Sequence, residues 1–307
     1  KACLCSSSVT RGFGSLPRVW CTVLVCVAGG RAKMGNQCAC ENTCNAQEVG
    51  SAVANVHGES LSFAKDGGAG GDSRGPHVFD NGATYTGEWL GSTRSGHGVQ
   101  VWVDGARYEG QWLEDKAHGR GRFVHADGDI YEGDWMADQA HGKGTYFHSD
   151  GSKYEGCWEH DRQSGQGVEV WSDGARYEGG YFAGRKHGIG KFAWNDGSKY
   201  NGQFVDNDID GEGVYEWGDG RKFEGQWAKN RMHGHGTFTW LDGRIYQGDY
   251  ANDMKHGHGI FKWPDGREYD GQWKDGRQHG SGFSSTADSQ KREGVWDDGK
   301  RIKWVTP

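Results

Sequence analysis

Three groups of residues in this chain have side chains and spacings that could do chemistry. The first is Met34-Gly35-Asn36-Gln37-Cys38-Ala39-Cys40, followed by Cys44. A Met-Gly start exposes a glycine amine that myristoyl transfer can acylate, and thiols at Cys38 and Cys40 can take palmitate. Together they would supply the two acyl signals that stable membrane anchoring needs. Ala39 stands where that pattern ordinarily has Ser or Thr. The same residues have two other readings: ordinary thiols after an internal methionine, or metal ligands in a Cys-x-Cys-x3-Cys set. The second group is His233-Gly234-His235 with His256-Gly257-His258, four imidazoles of the kind that bind zinc. Histidines also recur singly at His118, His141, His187 and His279, where a place at the start of a strand accounts for them, so no metal site is assigned. The third group, the many Asp and Glu residues, is periodic and belongs to a repeat rather than to an acid–base pair. The sequence contains no nucleophile elbow, phosphate-binding loop or kinase signature, so the expectation is a non-enzyme with no catalytic residue and no cofactor.

Composition tells what kind of elements carry these residues. Of 307 residues, 55 are glycine and 4 are proline, while 15 are tryptophan and 12 tyrosine. That mixture excludes a collagen-like chain and general disorder. It points to many turns between short strands, with a few large side chains carrying the burial. The formal net charge of −7 is unevenly spread. Residues 1–33 hold five basic residues and no acid, whereas residues 78–307 hold 28 Lys and Arg against 37 Asp and Glu. An acidic body argues against nucleic acid as a partner and weakens simple attraction to anionic lipid. Seven of the eight cysteines fall in the first 44 residues, which fits a reducing intracellular setting better than a secreted disulfide scaffold.

Repetition decides the fold. Tyr85, Tyr108, Tyr131, Tyr154, Tyr177, Tyr200, Phe223, Tyr246 and Tyr269 stand 23 residues apart, each followed by Glu-Gly or a close variant. Arg292 keeps the register without the aromatic. Four residues after each start lies an aromatic, usually tryptophan, as at Trp112. Gly-x-Gly, as at Gly119 and Gly121, and Asp-Gly, as at Asp104 and Gly105, hold the same period. Tyr108-Glu109-Gly110-Gln111-Trp112 alternates large and small, placing Tyr108, Gly110 and Trp112 on one face of a strand. A polar segment such as Leu113–His118 would join it to the next strand. The mid-strand glycine makes room for an aromatic from the neighbouring strand to lie across the backbone. Trp263-Pro264-Asp265-Gly266 suits a type I turn closed by a G1 bulge, a register that sets Phe261 and Tyr269 on one face. The expected fold class is all-β, an elongated single-layer antiparallel sheet of tandem hairpins.

These columns resemble the MORN (membrane occupation and recognition nexus) repeat over residues 78–307. Tyr181, Phe204 and Tyr250 replace its tryptophan, Ser164 and Asp210 replace its histidine, and the unit from Arg292 is degenerate, as a cap would be. What the resemblance implies is a binding module rather than a reaction. Similar arrays join membranes, build cytoskeletal and ciliary scaffolds, and stand beside some lipid-kinase and methyltransferase domains.

The expected organisation has three parts. Residues 1–33 read as upstream translation or a fragment outside the mature protein; their apolar run Val19–Ala28 is too short to span a bilayer. Residues 34–77 read as an acylated start and a Gly-rich linker, and residues 78–307 as about nine repeats with a cap. Trp102, Trp171, Trp194, Trp217, Trp240 and Trp263 recur just before the Asp-Gly turn, more tryptophan than self-packing asks for, and mark a partner-binding face. The expected function is a cytoplasmic scaffold that binds protein partners, and membranes through acyl chains, with homo-oligomerisation open. The alternatives are a cytoskeletal or ciliary structural protein and an accessory module of phosphoinositide signalling.

Overall fold

The computed structural model describes residues 71–287 and 290–305. These residues contain no helix. They form one antiparallel sheet of 21 strands, in which each strand pairs with the next in sequence from β1 (Asp72–Val78) to β21 (Lys300–Trp304). The expected single-layer meander is the fold.

One repeat shows why. β4 (Arg107–Leu113) and β5 (Lys116–Val124) join through Glu114-Asp115, left-handed at φ 50° and 66°. Two consecutive positive φ values make a type I′ turn, whose twist matches the strands it joins. Leu113 pairs directly with Lys116. The stretch Leu113–His118, read from the sequence as a connecting segment, is therefore strand apart from its two turn residues. Asp115, Asp138, Asp161, Gly184, Asn207, Asn230 and Asp253 occupy the second turn position in successive units; glycine and short polar side chains tolerate that backbone.

The other connection is the turn read from the sequence. Trp263 N–H donates to Arg267 O at 2.9 Å, Gly266 N–H donates to Trp263 O at 3.0 Å, and Gly266 has φ 85°. That is a type I turn closed by a G1 bulge, and it pairs Phe261 with Tyr269 on one face. Asp104 closes its own turn by accepting from Ala106 N–H at 3.0 Å, with Gly105 at φ 91°.

Within each hairpin a second bulge aims the aromatics. Gly110 pairs with Gly121 but Trp112 pairs with Ala117, so His118, Gly119 and Arg120 oppose Gln111 alone. Gly119 takes φ 61°, and Gln111 Oε1 accepts from Arg120 N–H at 2.8 Å. The Gly110–Gly121 pair lies under Tyr108. A Cβ on Gly121 would fall 2.3 Å from Tyr108 Oη, and one on Gly110 would fall 2.5 Å from Gly121 Cα. The covering ring thus comes from the same strand as Gly110, not from the neighbouring strand as the sequence suggested. It reaches along its own strand to donate its hydroxyl to Gln111 O at 3.0 Å.

Each tyrosine is gripped between two repeats. The Tyr108 ring centroid lies 5.0 Å from that of Trp112 and 5.2 Å from that of Trp135, both edge-to-face. The same contacts continue down to Tyr269 and Trp296, so the core is a ladder in which each unit touches its neighbours. Backbone links reinforce it: Asp138 N–H donates to Ala117 O at 3.0 Å, and Asp138 Oδ1 accepts from Ala117 N–H at 2.7 Å. β1, in the stretch read as the end of a linker, pairs with β2 (Thr84–Leu90) across a bulge at Gly75-Pro76, where proline has no N–H to give the ladder.

Candidate functional site

The two faces of the sheet differ in chemistry. One carries charged pairs laid across the strands, such as Arg122 Nε to Glu132 Oε1 at 2.6 Å and Arg120 Nε to Asp134 Oδ1 at 2.8 Å. Exposed pairs of this kind add little stability. The other face carries the aromatics and is the candidate site.

On that face the indole N–H groups are largely satisfied from the preceding repeat. Trp112 donates to Gly98 O at 3.1 Å, Trp135 to Gly121 O at 3.1 Å and Trp273 to Gly259 O at 2.9 Å. Trp89, at the start of the ladder, has a buried indole nitrogen with no such partner. Tyrosine acidity is suppressed throughout; burial pushes the Tyr85 phenol up to about 12. These hydroxyls are structural donors, not acid–base groups.

The six tryptophans marked by the sequence sit half-buried along one rim of this face. From Trp171 to Trp263 they form a continuous stack with the aromatics of neighbouring strands. Trp194 lies 5.1 Å from Tyr215, Trp217 lies 5.2 Å from Phe238 and Trp240 lies 5.5 Å from Phe261. Trp102 stands apart from that run: its own stack passes through Phe123, His125, Tyr146 and His148 and ends where Glu169 takes the aromatic position in the next repeat. Each tryptophan therefore spends part of its surface on the sheet and leaves part open.

A further column went unread in the sequence. Arg94, Ala117, Ala140, Gln163, Lys186, Ile209, Met232, Lys255, Gln278 and Arg301 are spaced by 23 residues, five after the start tryptophan or its substitute. Where this residue is cationic it is laid on the aromatics. The Arg94 guanidinium carbon lies 4.2 Å from the Trp112 ring centroid, with Nε 3.1 Å from Asp115 Oδ1. Lys186 Nζ lies 4.7 Å from the Trp171 ring and 2.9 Å from Glu169 Oε2. Lys255 Nζ lies 4.8 Å from the Phe261 ring and 5.0 Å from that of Trp273; burial pulls its ammonium from 10.5 down to about 8. Over Ala117 and Ala140, where the column is smallest, the face holds a cavity of about 550 Å³. Asp138 and Asp161 stand at its edge.

The histidine pairs do not converge. His235 Nδ1 lies 3.3 Å from Asp249 and His258 Nε2 lies 2.9 Å from Asp270, and no group of three or more metal-ligating side chains comes together among the described residues. Gly35, Cys38 and Cys40 lie outside the described residues.

An open sheet of tandem hairpins built to one plan, coupled only to their neighbours and carrying one aromatic face, defines a β-hairpin repeat scaffold. The MORN repeat family model matches nine consecutive segments, beginning with residues 85–107 and ending with 269–290, and the chain belongs to that family of non-catalytic modules. A search of curated proteins finds no match. Among solved structures, the G-box domain of the microcephaly protein CPAP covers 69% of this chain and 99% of its own, at 13% identity and TM-score 0.31. The Drosophila melanogaster SAS-4 (dCPAP) TCP domain, in complex with a proline-rich motif of Ana2 (dSTIL), covers 68% and 95% at 12% identity and TM-score 0.28. The wild-type TCP10 domain of Danio rerio CPAP covers 76% and 99% at 12% identity and TM-score 0.23. Overlap at that level says nothing about what this chain binds.

Proposed function

We propose that this protein is a non-enzymatic adaptor that docks protein partners on its aromatic face and is held at a cytoplasmic membrane surface by acyl chains on Gly35 and on Cys38 or Cys40. The observation that carries the docking is the half-buried stack from Trp171 to Trp263, a strip of open aromatic edges on an otherwise charged sheet. Large amphipathic rings on a rigid support bind partners at low entropic cost. The acidic balance of residues 78–307 supplies little attraction to anionic lipid, so stable membrane residence falls to the acyl chains.

Two variants test the two halves. Trp217→Ser/Trp240→Ser should abolish capture of partners by the full chain while its far-UV strand signal stays; capture at the wild-type level would sink the docking face. In the protein expressed from Met34, Gly35→Ala should move it from membranes to the soluble fraction, and Cys38→Ser/Cys40→Ser should loosen it partly. A Gly35→Ala protein that keeps its membrane location would refute acyl anchoring and leave the cytoskeletal reading in first place.

A further inference from the structure

Resting on the reading of the aromatic face as a protein-docking surface, we propose that the cavity over Ala117 and Ala140 is a pair of cages for cationic side chains, one per repeat, that takes a basic segment of a protein partner.

The chain supplies its own precedent. Around Lys255 stand Trp240, Tyr246, Phe261 and Trp273, with ring centroids 4.8 to 5.4 Å from its ammonium nitrogen. In the same repeat positions around Ala117 stand Trp102, Tyr108, Phe123 and Trp135, the same residue type at every place. One cage is filled from within by an ammonium. The other is open, and its Phe123 is half-buried where Phe261 is 6% exposed.

The carboxylates sharpen the contrast. Asp138 stands in the Ala117 cage where the Lys255 cage has Gly276. The filled cage thus holds a cation with no carboxylate at that place, and burial draws down its affinity for the proton. The open cage has the carboxylate, and the cation in the cavity lining, Arg94, is already laid on Trp112 and paired with Asp115. Burial first, and then the Asp138 charge, pushes the Tyr108 phenol up, so the negative field of Asp138 reaches the floor of the cage. The Ala140 cage repeats the plan with His125, Tyr131, Tyr146, Trp158 and Asp161. Aromatic faces with a nearby carboxylate recognise guanidinium and ammonium groups.

Geometry narrows the occupant. Successive repeats are two strands apart, so the cages are roughly 9–10 Å apart. Lysine or arginine side chains three residues apart in a polyproline II segment, which rises about 3.1 Å per residue, meet that spacing on one face. A choline lipid headgroup would also offer a cation, but it would bring its phosphate against Asp138 and Asp161.

The chain also shows how to remove the charge without the fold. Asn207 Oδ1 accepts from Lys186 N–H at 2.9 Å and Asn230 Oδ1 from Ile209 N–H at 2.7 Å, the bonds that Asp138 and Asp161 make to Ala117 and Ala140. The test is fluorescence anisotropy on the full chain. The probe is a labelled ten-residue peptide with arginine at every third position and proline between; its control has glutamine for arginine. Wild type should bind the arginine peptide at least tenfold tighter than the control. Asp138→Asn/Asp161→Asn should lose tenfold or more and flatten the salt dependence. Ala117→Lys/Ala140→Lys, which places in the cages the ammonium already seen at Lys186 and Lys255, should abolish binding with the far-UV spectrum unchanged. Equal affinity for the two peptides, undiminished binding by the lysine variant, or binding of phosphatidylcholine vesicles in place of the peptide would overturn the proposal. Trp217 and Trp240 lie several repeats away. If the arginine peptide fails while Trp217→Ser/Trp240→Ser still abolishes partner capture, the cages fall and the docking face stands.

Discussion

Replacing Gly121 with alanine strikes at the packing under the whole aromatic face. The added Cβ would lie 2.3 Å from Tyr108 Oη and 2.6 Å from Cε2 and Cζ, far inside the roughly 3.5–4.0 Å at which carbon atoms attract. Sliding the backbone does not relieve this, because Gly121 is clasped to Gly110 on the paired strand. The ring has to move. Tyr108 is 1% exposed, and burial of a ring of about 150–200 Å² at about 25 cal/mol per Å² is worth about 4–5 kcal/mol. Its hydrogen bond to Gln111 O adds about 1 kcal/mol, and the edge contacts with Trp112 and Trp135 about 0.5–1.5 kcal/mol each. Partial relaxation returns some of this, so a loss of about 3–6 kcal/mol is expected, comparable to the whole stability of many domains. Gly105→Ala is the control: nothing lies within 4 Å of its Cβ position, and φ 91° leaves only the left-handed backbone penalty of about 1–2 kcal/mol. Urea unfolding followed by far-UV circular dichroism reads both. Hydrogen exchange should show the loss centred on the repeats that contain Tyr108, Trp112 and Trp135, since each unit touches its neighbours. A Gly121→Ala protein within about 1 kcal/mol of the control, or an even loss across all repeats, would refute the reasoning.

Other perturbations probe the links between repeats. Asp253→Asn should leave urea stability nearly unchanged, because asparagine makes the same bond at Asn207 and Asn230. Asp253→Ala loses the acceptor for Met232 N–H at 2.8 Å and puts alanine at φ 70°, so about 2–3 kcal/mol should go. Trp273→Phe keeps a ring but strips Gly259 O of its indole donor and should lower stability by about 1–3 kcal/mol by the same assay; no change would deny the bond its role. Lys255 holds its proton up to about 10.5 when unfolded but only to about 8 in the sheet, so the unfolded chain binds the extra proton between these values and stability rises with pH across that window. Lys255→Met should therefore raise the melting temperature at pH 7, by about 1–3 kcal/mol of stability, and the gain should fade as pH climbs from 8 towards 10.5. A gain that is flat with pH would contradict the burial of that ammonium.

What the sequence disclosed depended on how loudly each residue speaks in one dimension. Tyr108, Trp112 and Asp104-Gly105 repeat without an insertion, and the parity of the Pro264-Asp265-Gly266 turn puts Phe261 opposite Tyr269, so sheet, hairpins and aromatic face were all legible. The type I′ turns were not, because the second turn residue alternates among Asp115, Gly184 and Asn207, and the Asp-Gly pair that marks such a turn stands only at Asp275-Gly276 and Asp298-Gly299. The source of the ring over Gly110 was misjudged, since alternation assigns faces but not the direction in which a side chain lies down. β1 was hidden in a glycine-rich stretch whose strand exists only because β2 offers it an edge. The cages over Ala117 and Ala140 were the least legible, for an alanine is a signal only once the rings around it have been placed.

The unvarying step of the array has a mechanical consequence. Because each strand bonds only to its sequence neighbours, tension applied between the two edge strands, β1 and β21, loads the hydrogen bonds along their own direction and one ladder at a time. The sheet then opens as a zipper rather than by shear. Each repeat surrendered releases 23 residues, or roughly 75–80 Å of extended chain, in exchange for about 9–10 Å of stacked sheet. Pulled from its ends, the protein pays out slack in equal lengths of roughly 65–70 Å, a force-limited tether whose increment is set by the spacing of its tyrosines.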